Sequence, residues 1–212
     1  MKKVASFDVD AQKGFTPLCP DELPVPDGDS IVEEINYVAS KTSYRIGSKD
    51  AHPQTAVWTA TKDKPMFTPL DYPNADLVWN RHCVVGTKGF ELLDGLPKPE
   101  QYDYFVWKGQ EPDLHPYGAC FHDIQEELST GVIEYIVFNK IDLVVVTGLA
   151  FDYCVATTAI QLSKAGIETC IYEPASKGIA KESCEVALAK LKEYNVSVLK
   201  NAKELESLLN KF

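Results

Sequence analysis

The apolar run Leu143-Val144-Val145-Val146, followed closely by a helix-period segment, constrains the fold of this chain more than any other stretch. Four consecutive apolar residues rich in β-branching offer no polar face. They fit a strand covered on both sides, as in a parallel sheet between helical layers. Thr147-Gly148 should end that strand. From Cys154 onward Val155, Ala159, Leu162 and Ala165 fall near a helical period, and Gly166 supplies a C-terminal stop. Cys154 therefore stands where a strand hands over to a helix. There the unpaired N–H groups of the first turn and the positive end of the helix dipole favour thiolate over thiol, which suits a cysteine nucleophile.

The same alternation runs through the rest of the chain. Strands are expected at 4–9, 44–48, 102–107, 168–172 and 196–199. Helices are expected behind an Asp29 cap, with Ile31, Val32, Ile35, Val38 and Ala39 as the buried stripe, at about 120–130, at 181–194 and at 202–209. Strands and helices alternating at this spacing predict an α/β fold, a three-layer α/β/α sandwich around a mostly parallel six-stranded sheet of Rossmann-like type. All 212 residues are read as one domain. The Pro-rich segment from about 50 to 99, which carries Trp58 and Trp79, reads as a structured, functional insertion.

Composition narrows the function. A net charge of −10 with scattered Lys and Arg argues against a nucleic-acid or anionic-membrane partner. The opening MKKVASFDVDAQ does not read as a signal peptide, and no apolar run reaches membrane-spanning length. Six well-separated cysteines without a CxxC pair read as free thiols in a reducing compartment, so the protein is expected in the cytoplasm.

Ligands of parallel α/β sheets bind at the carboxyl ends of the strands. Asp10, Asp50 with His52, Lys108 and Cys154 all fall at such ends. A cysteine nucleophile needs a base, an orienting cation and oxyanion donors. Asp10 can be the base, Lys108 can hold it, and the N–H groups of Ala150 and Cys154 can face the oxyanion. His115 competes with Asp10 for the base role in a Cys–His dyad. The alternate spacing of Asp50 and His52 puts both side chains on one side of an extended segment, where they could share Zn²⁺ or Fe²⁺ with a distant third ligand such as His82. Phe15, Trp58, Trp79 and Tyr153 are candidates for an aromatic slot that takes a flat ring.

Several spaced motifs then carry a family resemblance. Val9-Asp10-Ala11-Gln12-Lys13-Gly14-Phe15 resembles VDxQNDF, and Ser48-Lys49-Asp50-Ala51-His52-Pro53 resembles TxDxHP. Trp79-Asn80-Arg81-His82-Cys83-Val84 with Gly86-Thr87 resembles WPxHCVxGT. Trp107-Lys108-Gly109 resembles a KG element, and Gly148 to Val155 resembles GxATDYCV. By these the chain resembles the nicotinamidases (pyrazinamidases) of the isochorismatase-like cysteine hydrolases over nearly its full length. The resemblance implies a catalytic triad of Asp10, Lys108 and Cys154, and a divalent metal on Asp50, His52 and His82, Zn²⁺ first with Fe²⁺ or Mn²⁺ as alternatives. It also implies a cis peptide between Leu149 and Ala150, and a substrate ring held between Phe15 and Trp79. The implied substrate is nicotinamide, with pyrazinamide beside it, the implied role is NAD salvage, and the protein is either a monomer or a homo-oligomer.

Departures from the family pattern are equally specific. Trp58 stands where many bacterial members carry a further histidine, which leaves a three-ligand site or one completed by Asp63. Lys13-Gly14 and Asn80 also differ from the usual motifs, at the pocket rim. The competing readings are a metal-independent amidohydrolase of the same superfamily, such as a carbamoyl-amide hydrolase, and a non-enzymatic binding relative.

Overall fold

The most apolar strands take the middle of the sheet, where both faces are covered. In a computed structural model that describes residues 2–212, β1 (Val4–Val9) and β4 (Leu143–Leu149) are buried along their whole length. They pair in parallel from Val4↔Leu143 to Val9↔Gly148. β2 (Tyr44–Asp50) and β3 (Tyr104–Lys108) extend the sheet on one side. β5 (Glu168–Lys177) and β6 (Ser197–Leu199) extend it on the other. The order is β3-β2-β1-β4-β5-β6, and every pairing is parallel.

Alternate residues of the central strands feed two cores. Val144 and Val146 pack with α2 (Val132–Asn139), α3 (Ala156–Lys164) and α4 (Lys181–Glu193) through Ile136, Leu162 and Leu191. Leu143 and Val145 face the other layer, where α1 (Val32–Ser40) and α5 (Ala202–Leu209) contribute Ile35, Val38 and Leu205. This is the expected three-layer α/β/α arrangement. The chain builds outward from β1 in one direction and from β4 in the other. The crevice at their carboxyl ends is therefore a topological switch point, where such sheets bind ligands. Gly148 lets the two strands close there: its φ is +111°, in the left-handed region, and a Cβ would lie 1.9 Å from the Val9 carbonyl oxygen.

Several expectations need correction. Residues 120–130 form a loop, not a helix. The Asp123 carboxylate accepts the N–H groups of Glu127 and Leu128 and turns the chain back, so that Phe121 bridges Ser129 and helix α2 begins only at Val132. Leu128, inside this loop, is exposed. Asp29 caps nothing; it lies inside a 3-10 turn, Gly28–Ile31, that runs into α1. β4 does not stop at Thr147-Gly148. After a register shift near Pro174 of β5, Gly148 and Leu149 pair with Ser176 and Lys177, which lengthens both strands. α3 does not open at Cys154, because a π-helical turn, Phe151–Val155, precedes it.

The segment after β2 is irregular but packed. Short bridges join His52 to Val84 and Thr59 to Trp79, and both Trp58 and Trp79 are buried. Among the described residues, no helix is long and apolar enough to cross a membrane.

Candidate active site

β2 and β3 pair so that Asp50 stands opposite Lys108, each the last residue of its strand. Asp10 follows β1 directly, in a left-handed conformation with φ of 46°. Cys154 arrives from the π-helical turn beyond β4. Four separate segments thus deliver four buried side chains to one end of the sheet.

The Lys108 ammonium is the hub. Its Nζ lies 3.0 Å from Asp10 Oδ2, hydrogen bonds to Asp50 Oδ1, and sits 3.3 Å from the Pro116 carbonyl and 3.8 Å from Cys154 Sγ. Ser48 Oγ donates to Asp10 Oδ1 at 2.7 Å and fixes that carboxylate. Burial lowers the affinity of Lys108 for its proton, yet the Asp10 and Asp50 carboxylates outweigh burial and hold the amine firmly charged. Burial raises Asp10 to about 6, against the pull of Lys108 and with the push of Asp50. For Asp50 burial acts upward too, but Lys108 and the imidazole of His52 prevail and keep it below the usual carboxylate range.

Burial works against the thiolate that the start of a helix favours. Burial pushes the Cys154 thiol well above its ordinary value; Lys108 opposes this, and Asp10 and Asp50 add to it. Burial, with two carboxylates added to it, outweighs the one ammonium. Burial thus favours the thiol form of Cys154, which needs a base to react.

A second cluster adjoins the first. Donor atoms of His52, His82 and His115 lie within 4.8 Å of one another, all three rings buried. Asp50 Oδ2 faces them, 3.4 Å from His52 Nε2 and 3.9 Å from His82 Nε2. The carbonyl of Gly109 lies 3.0 Å from His52 Nδ1 and that of Asn80 lies 2.6 Å from His82 Nδ1. These contacts occupy Nδ1 of His52 and of His82 and leave the Nε2 atoms of both rings facing Asp50. Burial together with the neighbouring His52 holds His82 at about 3 and keeps His115 neutral as well. Three buried imidazoles, two of them with unpaired nitrogens (His52 Nε2 and both of His115), beside a carboxylate are a donor set that fits a divalent metal. Asp10, Asp50 and Cys154 form another close donor group. The Lys108 ammonium already occupies its middle.

His115 is the residue that sequence reasoning misplaced. It was a candidate base for the thiol, whereas the structure puts it among the histidines, stacked on His52 with centroids 5.3 Å apart. No local spacing signals this, because His115 reaches the cluster from the loop after β3. Asp63 is exposed and belongs to neither cluster.

Between the clusters opens a narrow cleft, lined by Phe15, Trp79, Tyr117, Tyr153, His115 and Cys154 among others. Trp58 is not part of its wall. It packs behind, 4.5 Å from both His52 and His115. Trp79 meets Tyr153 edge-on at 4.8 Å and donates its indole N–H to Tyr117. The peptide between Leu149 and Ala150 is cis, and among the described residues no backbone group accepts the Ala150 N–H.

In sequence and fold the chain is similar to known proteins. A nicotinamidase of Acinetobacter baylyi is 33% identical over 174 residues, 81% of this chain and 79% of the relative. The solved nicotinamidase/pyrazinamidase of Acinetobacter baumanii superposes with a TM-score of 0.83 at 30% identity, covering 94% of this chain and 97% of that one. The pyrazinamidase of Pyrococcus horikoshii in complex with zinc gives a TM-score of 0.74 at 28% identity, covering 94% and 99%. The description "Isochorismatase domain" matches from residue 5 to residue 203. Only the ends of the chain fall outside that span, and the chain belongs to the isochorismatase-domain family.

Proposed function

We propose that this protein is a nicotinamidase, which hydrolyses nicotinamide to nicotinate and ammonia through a thioester on Cys154 and also accepts pyrazinamide. The observation that carries the reading is the joint between the two clusters: a buried thiol beside a carboxylate and an ammonium opens into an aromatic slot whose other wall is imidazole and carboxylate donors. Two of the relatives named above are nicotinamidases and the third is a pyrazinamidase, which supports this substrate class.

Asp10 takes the proton of Cys154 Sγ, and the sulfur attacks the carboxamide carbon. The N–H groups of Ala150 and Cys154 face the oxygen on which charge develops. As the C–N bond breaks, Asp10 returns its proton to the leaving nitrogen, which departs as ammonia. Asp10 next takes a proton from water. The hydroxyl adds to the acyl carbon, the C–S bond breaks, and the sulfur recovers a proton as nicotinate forms. Throughout, Lys108 holds the Asp10 carboxylate in line and offsets its charge. Phe15, Trp79 and Tyr153 hold the pyridine ring flat.

Asp50, His52 and His82 would hold the divalent ion, for which Zn²⁺ is favoured by the imidazole-rich donors and by the zinc-bound relative, with Fe²⁺ or Mn²⁺ as alternatives. Such an ion supplies a Lewis acid for the ring nitrogen. The six free thiols fit a reducing, cytoplasmic setting, in which the product re-enters NAD synthesis.

An ammonia-release assay on nicotinamide, before and after chelation and with metal added back, tests the reading. Turnover that chelation abolishes and metal restores is expected. Absence of ammonia from the metal-loaded protein overturns it, and turnover untouched by chelation points instead to a metal-independent amidohydrolase.

A further inference from the structure

We infer that His115 is a fourth protein ligand of the metal, delivered by the loop after β3, and that Trp58 is the residue that positions this loop. The inference rests on the metal reading above and assigns to this chain a four-donor site of Asp50, His52, His82 and His115.

The unpaired nitrogens of His115 are the first ground. The residue is 4% exposed, both ring nitrogens are buried, and neither has a hydrogen-bond partner. Buried polar atoms in native proteins are paired as a rule, so a histidine with two orphans has an unsatisfied function. Its donor atom lies within 4.8 Å of those of His52 and His82.

The anchoring of the loop is the second ground. The His115 backbone N–H donates to the Asn74 carbonyl at 2.8 Å, and the Trp58 indole Nε1–H donates to the Leu114 carbonyl at 3.0 Å. Trp58 lies six positions beyond His52 in sequence and has no lone pair to offer a metal. Its ring nevertheless contacts both His52 and His115 at 4.5 Å. One indole therefore fixes the backbone just before His115 and packs against the two imidazoles at once. Outer contacts of this kind orient metal ligands.

His115 also lies parallel to Trp79 at 5.7 Å, so a role purely as a wall of the ring slot is the alternative that the test must separate. X-ray absorption of the Zn²⁺-loaded protein, which counts imidazoles at the metal, is the direct measurement. Three imidazoles are expected in the wild type and two in His115→Phe, which keeps a flat ring in the stack. Competition titration should show the Zn²⁺ dissociation constant rising about tenfold or more in His115→Phe and by a smaller factor in Trp58→Phe, which loses the N–H to Leu114 but keeps the packing. The Co²⁺-substituted wild type should change its visible spectrum on the His115→Phe substitution. Two imidazoles in the wild type, with unchanged Zn²⁺ affinity in His115→Phe, overturn the inference and leave nicotinamidase activity standing. A wild type that binds no metal at all fails the underlying reading instead. The absorption measurement on the wild type decides the point even if neither variant folds.

Discussion

Asp50 divides its carboxylate between two partners: Oδ1 accepts a hydrogen bond from the Lys108 ammonium, and Oδ2 lies 3.4 Å from His52 Nε2. The ladder pairing of Asp50 with Lys108 makes this division a property of the sheet, because both side chains project from neighbouring strand ends. Metal set and thiol set are thereby coupled through one residue. A change at Asp50 must reach both.

Asp50→Asn should lower bound Zn²⁺ and lower kcat by at least about 10²-fold together. His82→Ala should lower metal occupancy alone, so added Zn²⁺ rescues its turnover far better than that of Asp50→Asn. Metal content by mass spectrometry alongside ammonia release checks both. Because Asn leaves the Lys108 ammonium buried with one carboxylate fewer, the metal-free variant should also be less stable by about 3 kcal/mol in urea unfolding.

Cys154→Ala removes the sulfur that lies 3.8 Å from the Lys108 ammonium. Turnover should fall by at least about 10⁴-fold, while nicotinamide affinity measured by calorimetry changes by no more than about threefold, since the ring walls are untouched. Comparable losses in binding and turnover would refute a nucleophilic role.

Burial holds Asp10 at about 6, above the ordinary carboxylate, so Asp10 carries a proton below that pH and cannot accept the one from Cys154. kcat/KM should therefore rise with pH through a midpoint near 6 and fall away on the acid side. Repeating the profile under saturating Zn²⁺ distinguishes this limb from proton competition at the histidines. A midpoint that moves with metal concentration would assign it to the ligands and not to Asp10.

Gly109 has a φ of +70°, and a Cβ there would lie 2.6 Å from His52 Cε1. Gly109→Ala should displace the imidazole that its carbonyl orients, weaken Zn²⁺ binding by about tenfold or more, and destabilise the fold by about 1–3 kcal/mol. Thermal unfolding with and without Zn²⁺ separates the two effects: the stabilisation added by metal should shrink in the variant.

Sequence reading succeeded where the signal is local. Leu143 to Val146 has no polar face, which points to the middle of a parallel sheet, and strand ends in such a sheet bring Asp10, Lys108 and Cys154 together without further information. It failed where contacts between distant segments decide. The Asp123 carboxylate captures two N–H groups and turns residues expected to form a helix into a loop. His115 joins His52 and His82 only because Asn74 and Trp58, both in the irregular segment, grip its loop. The charge balance at Cys154 was legible only in part for a related reason: the helix terminus is visible in the sequence, but the depth of burial and the two carboxylates around the sulfur are not.

The strand order also sets a timetable. A ribosome releases β1, β2 and β3 first, and in that half of the sheet β1 is an edge, with Asp10, Asp50, His52, His82, Lys108 and His115 already made. Cys154 emerges only after β4, the strand that covers this edge. The oxidisable group is thus the last piece of the site to be synthesised, and it enters a seat whose base, cation and imidazoles precede it.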